Sequence, residues 1–64
     1  PTVEFADKLY QDIDFGRLVK CDYVGEGYFN VVCRNVLFGV GHNDHGNLKL
    51  TYYLKNAVNN PVVQ

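Results

Sequence analysis

From Arg17 to Lys55 the chain is rich in β-branched and aromatic residues cut by glycine, a composition that favours short strands joined by tight turns. Residues 17–24 form the first such run. Gly25-Glu26-Gly27 follows, and its glycines can take the positive φ that a short turn needs. The second run, 28–38, alternates through Phe29, Val31 and Cys33, loses the alternation at Asn35 and becomes apolar again at Val36, Leu37 and Phe38. A bulge or bend near Arg34-Asn35 accounts for the slip. Residues 39–47, GVGHNDHGN, read as a loop. The third run, 48–55, alternates most regularly, with Leu48, Leu50, Tyr52 and Leu54 on one face and Lys49, Thr51, Tyr53 and Lys55 on the other. After Asn56 the chain is polar until Pro61-Val62-Val63, which reads as a packing arm.

Residues 2–14 carry a different period. At about 100° per residue, Val3, Phe5, Ala6, Leu9, Tyr10 and Ile13 fall within an arc of about 160°. Acidic and amide side chains fill the opposite side. Thr2 is a suitable N-cap, and Gly16 suits the left-handed position after a helix ends. The competing reading is a strand, since Val3, Phe5, Leu9, Ile13 and Phe15 also alternate; it places Asp7 and Gln11 on the buried face. The helix fits better. The expected fold is α+β, a single domain over 1–64: an N-terminal amphipathic helix packed on a three-stranded antiparallel meander.

Sixty-four residues bury only about 60% of the surface they expose when unfolded, so the core is thin. An apolar content of 47% and an aromatic content of 14% nevertheless point to a folded chain. One helix covers one sheet face, leaving the other face and the strand edges to be blunted or paired. A homodimer through the sheet is the expected solution. The net charge of −1 gives no field for capturing nucleic acid or an anionic membrane. It conceals an asymmetry, with Glu4, Asp7, Asp12 and Asp14 early in the chain and most cations after Gly16. No apolar run approaches the roughly 18 residues of a membrane span. The absence of Met, with Pro1 leading, is what removal of an initiator Met would leave, and a cytoplasmic protein is expected.

Chemistry-bearing patterns are few. Cys21 and Cys33 fall on the facing strands of the expected hairpin, where a disulfide is geometrically allowed; buried thiols fit a cytoplasmic protein better. His42, Asp44 and His45 have the donor types of a metal site, yet their spacing matches no recognised zinc pattern, and these residues also suit a tight turn. Gly41 to Gly46 has the glycine spacing of a phosphate loop, with Asn47 and Leu48 where Lys and Ser or Thr should stand. No metal or other cofactor is expected. The chain contains no serine, which excludes a serine nucleophile. Pro1 is similar in position to the N-terminal catalytic base of the small tautomerases, a fold that opens with a strand and continues with a long helix. An enzyme built on Pro1, or on a metal held by His42 and His45, is the least favoured reading.

The outward sheet face is the expected binding surface. Register places Lys20, Tyr28, Asn30, Arg34, Lys49, Tyr53 and Lys55 away from the helix. Tyr and Arg are favoured anchors at protein interfaces. A Tyr/Lys/Arg face can also stack bases and track phosphates. The expected function is therefore a non-enzymatic, homodimeric interaction protein, an inhibitor or adaptor of another protein. A single-stranded nucleic-acid binder is the alternative, placed second because the net charge is near neutral.

Overall fold

The computed structural model describes residues 1–57, so the expected 61–63 arm lies outside the described residues. Four strands form one mixed sheet in the order β1-β2-β3-β4: β1 Thr2–Phe5, β2 Phe29–Cys33, β3 Val36–Asp44 and β4 Asn47–Ala57. A 3-10 turn, Asp7–Leu9, runs into the single short helix α1, Tyr10–Asp14. β1 pairs parallel to β2, while β2–β3 and β3–β4 are antiparallel. The α+β class stands; the three-stranded meander preceded by one long helix is corrected to a four-stranded mixed sheet. No helix among the described residues is long and apolar enough to cross a membrane.

Each departure from the expected elements has a local cause. In Thr2–Phe5 the side chains alternate, with Val3 and Phe5 facing the core and Thr2 and Glu4 outward. The helix period sets Val3 and Phe5 at the two limits of the apolar arc, about 160° apart, whereas the strand period puts both on one face, and pairing with β2 realises the strand. The slip at Arg34-Asn35 is a full reversal. Both residues have positive φ, 53° and 61°, the backbone of a two-residue hairpin turn. The second turn is His45-Gly46, at φ 54° and 89°, so most of 39–47 is strand. The expected strand 17–24 contributes one bridge, Lys20 to Asn47, although Val19 and Cys21 do alternate inward.

The core lies on one face of the sheet. Phe29, Val31 and Cys33 from β2 meet Phe5, Phe38, Ile13, Val19 and Cys21. The long connection after α1 is fastened by Asn43, whose side-chain N–H groups donate to the carbonyls of Tyr23 at 2.7 Å and Cys21 at 3.4 Å. The same amide oxygen accepts the Gly46 N–H at 2.7 Å. One side chain therefore satisfies both a loop and a hairpin turn. Removing it orphans partly buried backbone groups, each costing about 1–3 kcal/mol. Asn43→Ala is expected to lower stability by about that amount in urea unfolding, with the slope unchanged.

Candidate functional site

Cross-strand partners share a sheet face, so the inward Phe29, Val31 and Cys33 fix what points the other way. On β2 the outward residues are Asn30 and Val32, opposite Val40 and Leu37 of β3. Val40 in turn faces Tyr52 of β4, and His42 faces Lys49. Val32, Leu37, Val40 and Tyr52 therefore make an apolar stripe across this face. Val32 is buried yet stands apart from the core cluster, shielded by its neighbours on the open side. Tyr52 is 62% exposed. At one end Tyr28 packs edge-on against the His42 ring, centroids 5.4 Å apart. The His42 Nδ1 is buried and makes no hydrogen bond among the described residues.

The expected site residues divide between two surfaces. Tyr28 and Lys49 lie on the open face, and Lys20 sits beside its margin through the bridge to Asn47. Tyr53, Lys55 and Arg34 go to the helix side, correcting the outward assignment made from regular alternation. Between Val40 and Gly41 the register with β4 shifts, leaving Thr51 as an extra residue. Its hydroxyl donates to the Val40 carbonyl at 3.0 Å. Beyond this bulge the parity of β4 is reversed, so Tyr53 turns inward and its ring lies 6.4 Å from that of Phe38. Leu54 and Lys55 together oppose Phe38 in a second irregularity, where Lys55 takes φ 54°.

These side chains converge on α1. The Tyr53 hydroxyl donates to Asp14 Oδ1 at 2.8 Å, and Lys55 Nζ donates to the same oxygen at 2.9 Å. The Arg34 guanidinium lies 5.0 Å from the Tyr10 ring centroid, and the Lys55 ammonium 6.0 Å from it. The hydrogen bond from Lys55, then that from Tyr53, holds the Asp14 carboxyl below its ordinary range. The same Asp14 contact raises Tyr53 and Lys55 above theirs. The cluster binds the helix to β4, a structural latch that sequence patterning missed because the bulge at Thr51 carries no glycine signal.

The other candidate chemistry is dispersed. His45 Nδ1 lies 2.8 Å from Asp44 Oδ1 in an exposed turn, while His42 packs against Tyr28. Among the described residues no group of three or more His, Cys, Asp or Glu is placed to hold a metal. The strand order that the Pro1 comparison asked for is present, but the helix that follows is only Tyr10–Asp14. Cys21 and Cys33 are free, buried thiols. Burial chiefly, and then the charge of Asp7, pushes the Cys33 thiol up; its Sγ–H donates to the Ala6 carbonyl at 3.3 Å. No family model, curated protein or solved structure matches the chain.

Two outcomes follow from this geometry. Asp14 has a depressed folded pKa, so its contribution is present above the ordinary Asp value and is lost as pH falls through the lower folded value. Tyr53 and Lys55 have raised folded pKa values, so theirs is present below the ordinary values and is lost as pH rises through the folded ones. Thermal melts from about pH 5 to about pH 2, spanning the ordinary Asp pKa of about 3.9, are expected to show a smaller drop in Tm for Asp14→Asn than for the natural chain. Both thiols should resist iodoacetamide in the folded protein and alkylate readily in guanidinium. Fast labelling without denaturant would contradict the burial.

Proposed function

We propose that this chain is a non-enzymatic protein-interaction module that self-associates through its open sheet face. The observation that carries the reading is the stripe of Val32, Leu37, Val40 and Tyr52 crossing β2, β3 and β4, over which no second layer lies among the described residues. An uncovered apolar sheet face is the kind of surface that partners bury. The Nδ1 of His42, without a hydrogen-bond partner among the described residues, adds a polar group that a partner can satisfy. Protein is favoured over single-stranded nucleic acid by the position of the cations. Arg34 and Lys55 are drawn to Tyr10 and Asp14 on the helix side, so the aromatic residues of the open face keep only Lys49 and the marginal Lys20 near them. An inhibitor or adaptor role in the cytoplasm is compatible with a small self-associating module.

Light scattering of the purified chain over a range of concentrations tests this. The expected mass is twice that of one chain. Val40→Glu puts a charge in the middle of the stripe, and an unpaired buried charge weakens association by at least about 2 kcal/mol, or roughly thirtyfold. The variant should therefore run as a monomer with its circular dichroism unchanged. A natural chain that is monomeric at every concentration, or a Val40→Glu dimer as tight as the original, contradicts the proposal.

A further inference from the structure

The outer edge of β4 is covered at one end and open immediately beyond it. The Leu48 N–H donates to the Val19 carbonyl at 2.8 Å, and the Cys21 N–H to the Gly46 carbonyl at 2.9 Å. Residues 19–21 thus act as a short additional strand that stops at Leu48. Hairpin geometry dictates which backbone groups come next. With Asp44 and Asn47 closing a two-residue turn, the Asn43/Leu48 and Gly41/Leu50 pairs point their N–H and C=O groups away from each other. The observed Leu48 bond to Val19 confirms that direction. Leu50 therefore presents its N–H and C=O to the same outer edge, where no backbone bond from residues 16–18 meets them among the described residues.

The covering chain swings away because it must reach α1. Gly16, at φ 72°, accepts the left-handed conformation that ends the helix, and residues 16–18 make no backbone bond to β4 among the described residues. Between them and residues 47–50 is a cleft of about 420 Å³. Ile13, Val19, Leu48 and Leu50 form its apolar interior, and Leu18, 78% exposed, stands at its mouth. The opposite face of this edge carries two cations beside one carboxylate, Asp44, which shares that face with Asn47 and is engaged by His45 Nδ1 at 2.8 Å. Lys49 makes no ion pair among the described residues, and Lys20 projects on the same side through its bridge with Asn47. The other cation at the cleft, Arg17, is already held by Asp12 at 3.2 Å.

We propose that this edge binds an extended acidic-apolar peptide by strand addition, continuing the line begun by residues 19–21. The peptide backbone pairs with Leu50. Successive side chains of a strand point to opposite faces. Apolar residues of the peptide therefore enter the cleft while the alternate, acidic ones meet Lys49 and Lys20. Strand addition draws affinity from main-chain hydrogen bonds and selectivity from pockets for alternate side chains, and both components are in place here. The site is separate from the stripe assigned to self-association, so either can fail without the other.

The probe is a fluorescein-labelled, amidated seven-residue peptide alternating glutamate and valine, titrated with the full chain and read by anisotropy. Saturable binding is expected. The same peptide N-methylated on the amides that face β4 should bind at least about tenfold more weakly, since one lost main-chain bond of about 1.4 kcal/mol is a factor of ten. A lysine–valine peptide should lose a similar factor. Lys49→Glu, at an exposed position that leaves the core intact, should reverse the preference between the two peptides. Absence of saturable binding by the natural chain up to about 1 mM, a Kd beyond which no specific site remains, overturns the proposal. So does equal binding of the N-methylated peptide. A homodimer whose association is unaffected by saturating peptide while Val40→Glu still binds it places the two surfaces apart, as proposed. A dimer that excludes the peptide assigns the edge to a second copy and overturns it.

Discussion

Phe38 is the side chain on which the arrangement depends. Moving along β2 from Val31 to Val32, the partners on β3 step from Gly39 to Leu37, which leaves Phe38 as an inserted residue. The insertion turns its ring into the core, where it is fully buried, 5.1 Å from the Tyr10 ring. Gly39 makes this possible. Its φ of 150° is open to glycine, and a Cβ there would collide with the Tyr52 carbonyl oxygen. The displaced register is answered on β4, where two residues oppose Phe38 and Lys55 is swung towards Asp14. The inserted aromatic residue thus seats the helix and, together with the Thr51 bulge, brings Lys55 to the helix side of the sheet.

What could be read from the sequence was the chemistry of positions within a run; what could not was where runs reverse. The inward set Phe29, Val31 and Cys33 and the inward Leu48 and Leu50 follow from alternation and are found, and both cysteines are buried, as expected of thiols that act as small apolar residues. Arg34-Asn35 contains no glycine, so its reversal looked like a bulge. Arg34 bears the unfavourable left-handed backbone while its guanidinium lies over Tyr10, a long-range contact invisible in local pattern. Gly39 and Gly41 misled in the opposite sense. They look like loop residues but allow β3 to lie close to β4, since a Cβ on either would press on a β4 carbonyl. The candidate surface is half legible for the same reason: Tyr28 and Lys49 precede the irregularities and lie on the sheet face that alternation gives them, whereas Tyr53 and Lys55 follow the Thr51 bulge and change sides.

The charge asymmetry of the chain is largely consumed inside the fold. Asp14, from the acidic first quarter, receives Lys55 from the basic remainder, and Asp12 pairs with Arg17. Pairs at this exposure each contribute little to stability, and their value is in placement. They fix the short helix against a strand that is distant in sequence. They also engage Arg17 and Lys55, which leaves Lys49 and Lys20 as the cations standing beside Asp44 at the β4 margin.

β1 is held unlike the other strands. It is four residues long, lies at the end of the sheet, and meets β2 through partners 28 residues away in the chain. The β2–β3–β4 hairpins close over two-residue turns and lose little chain entropy in forming. Closing the long connection makes β1 the strand with the larger entropic cost of docking, so it is expected to join after the hairpins and to detach before them. When it lifts, β2 becomes a bare edge and Ala6 withdraws its carbonyl from the Cys33 thiol. The sulfur of Cys33 is in this way a reporter embedded beneath a hinged strand, and its rare encounters with solvent count the openings of the sheet.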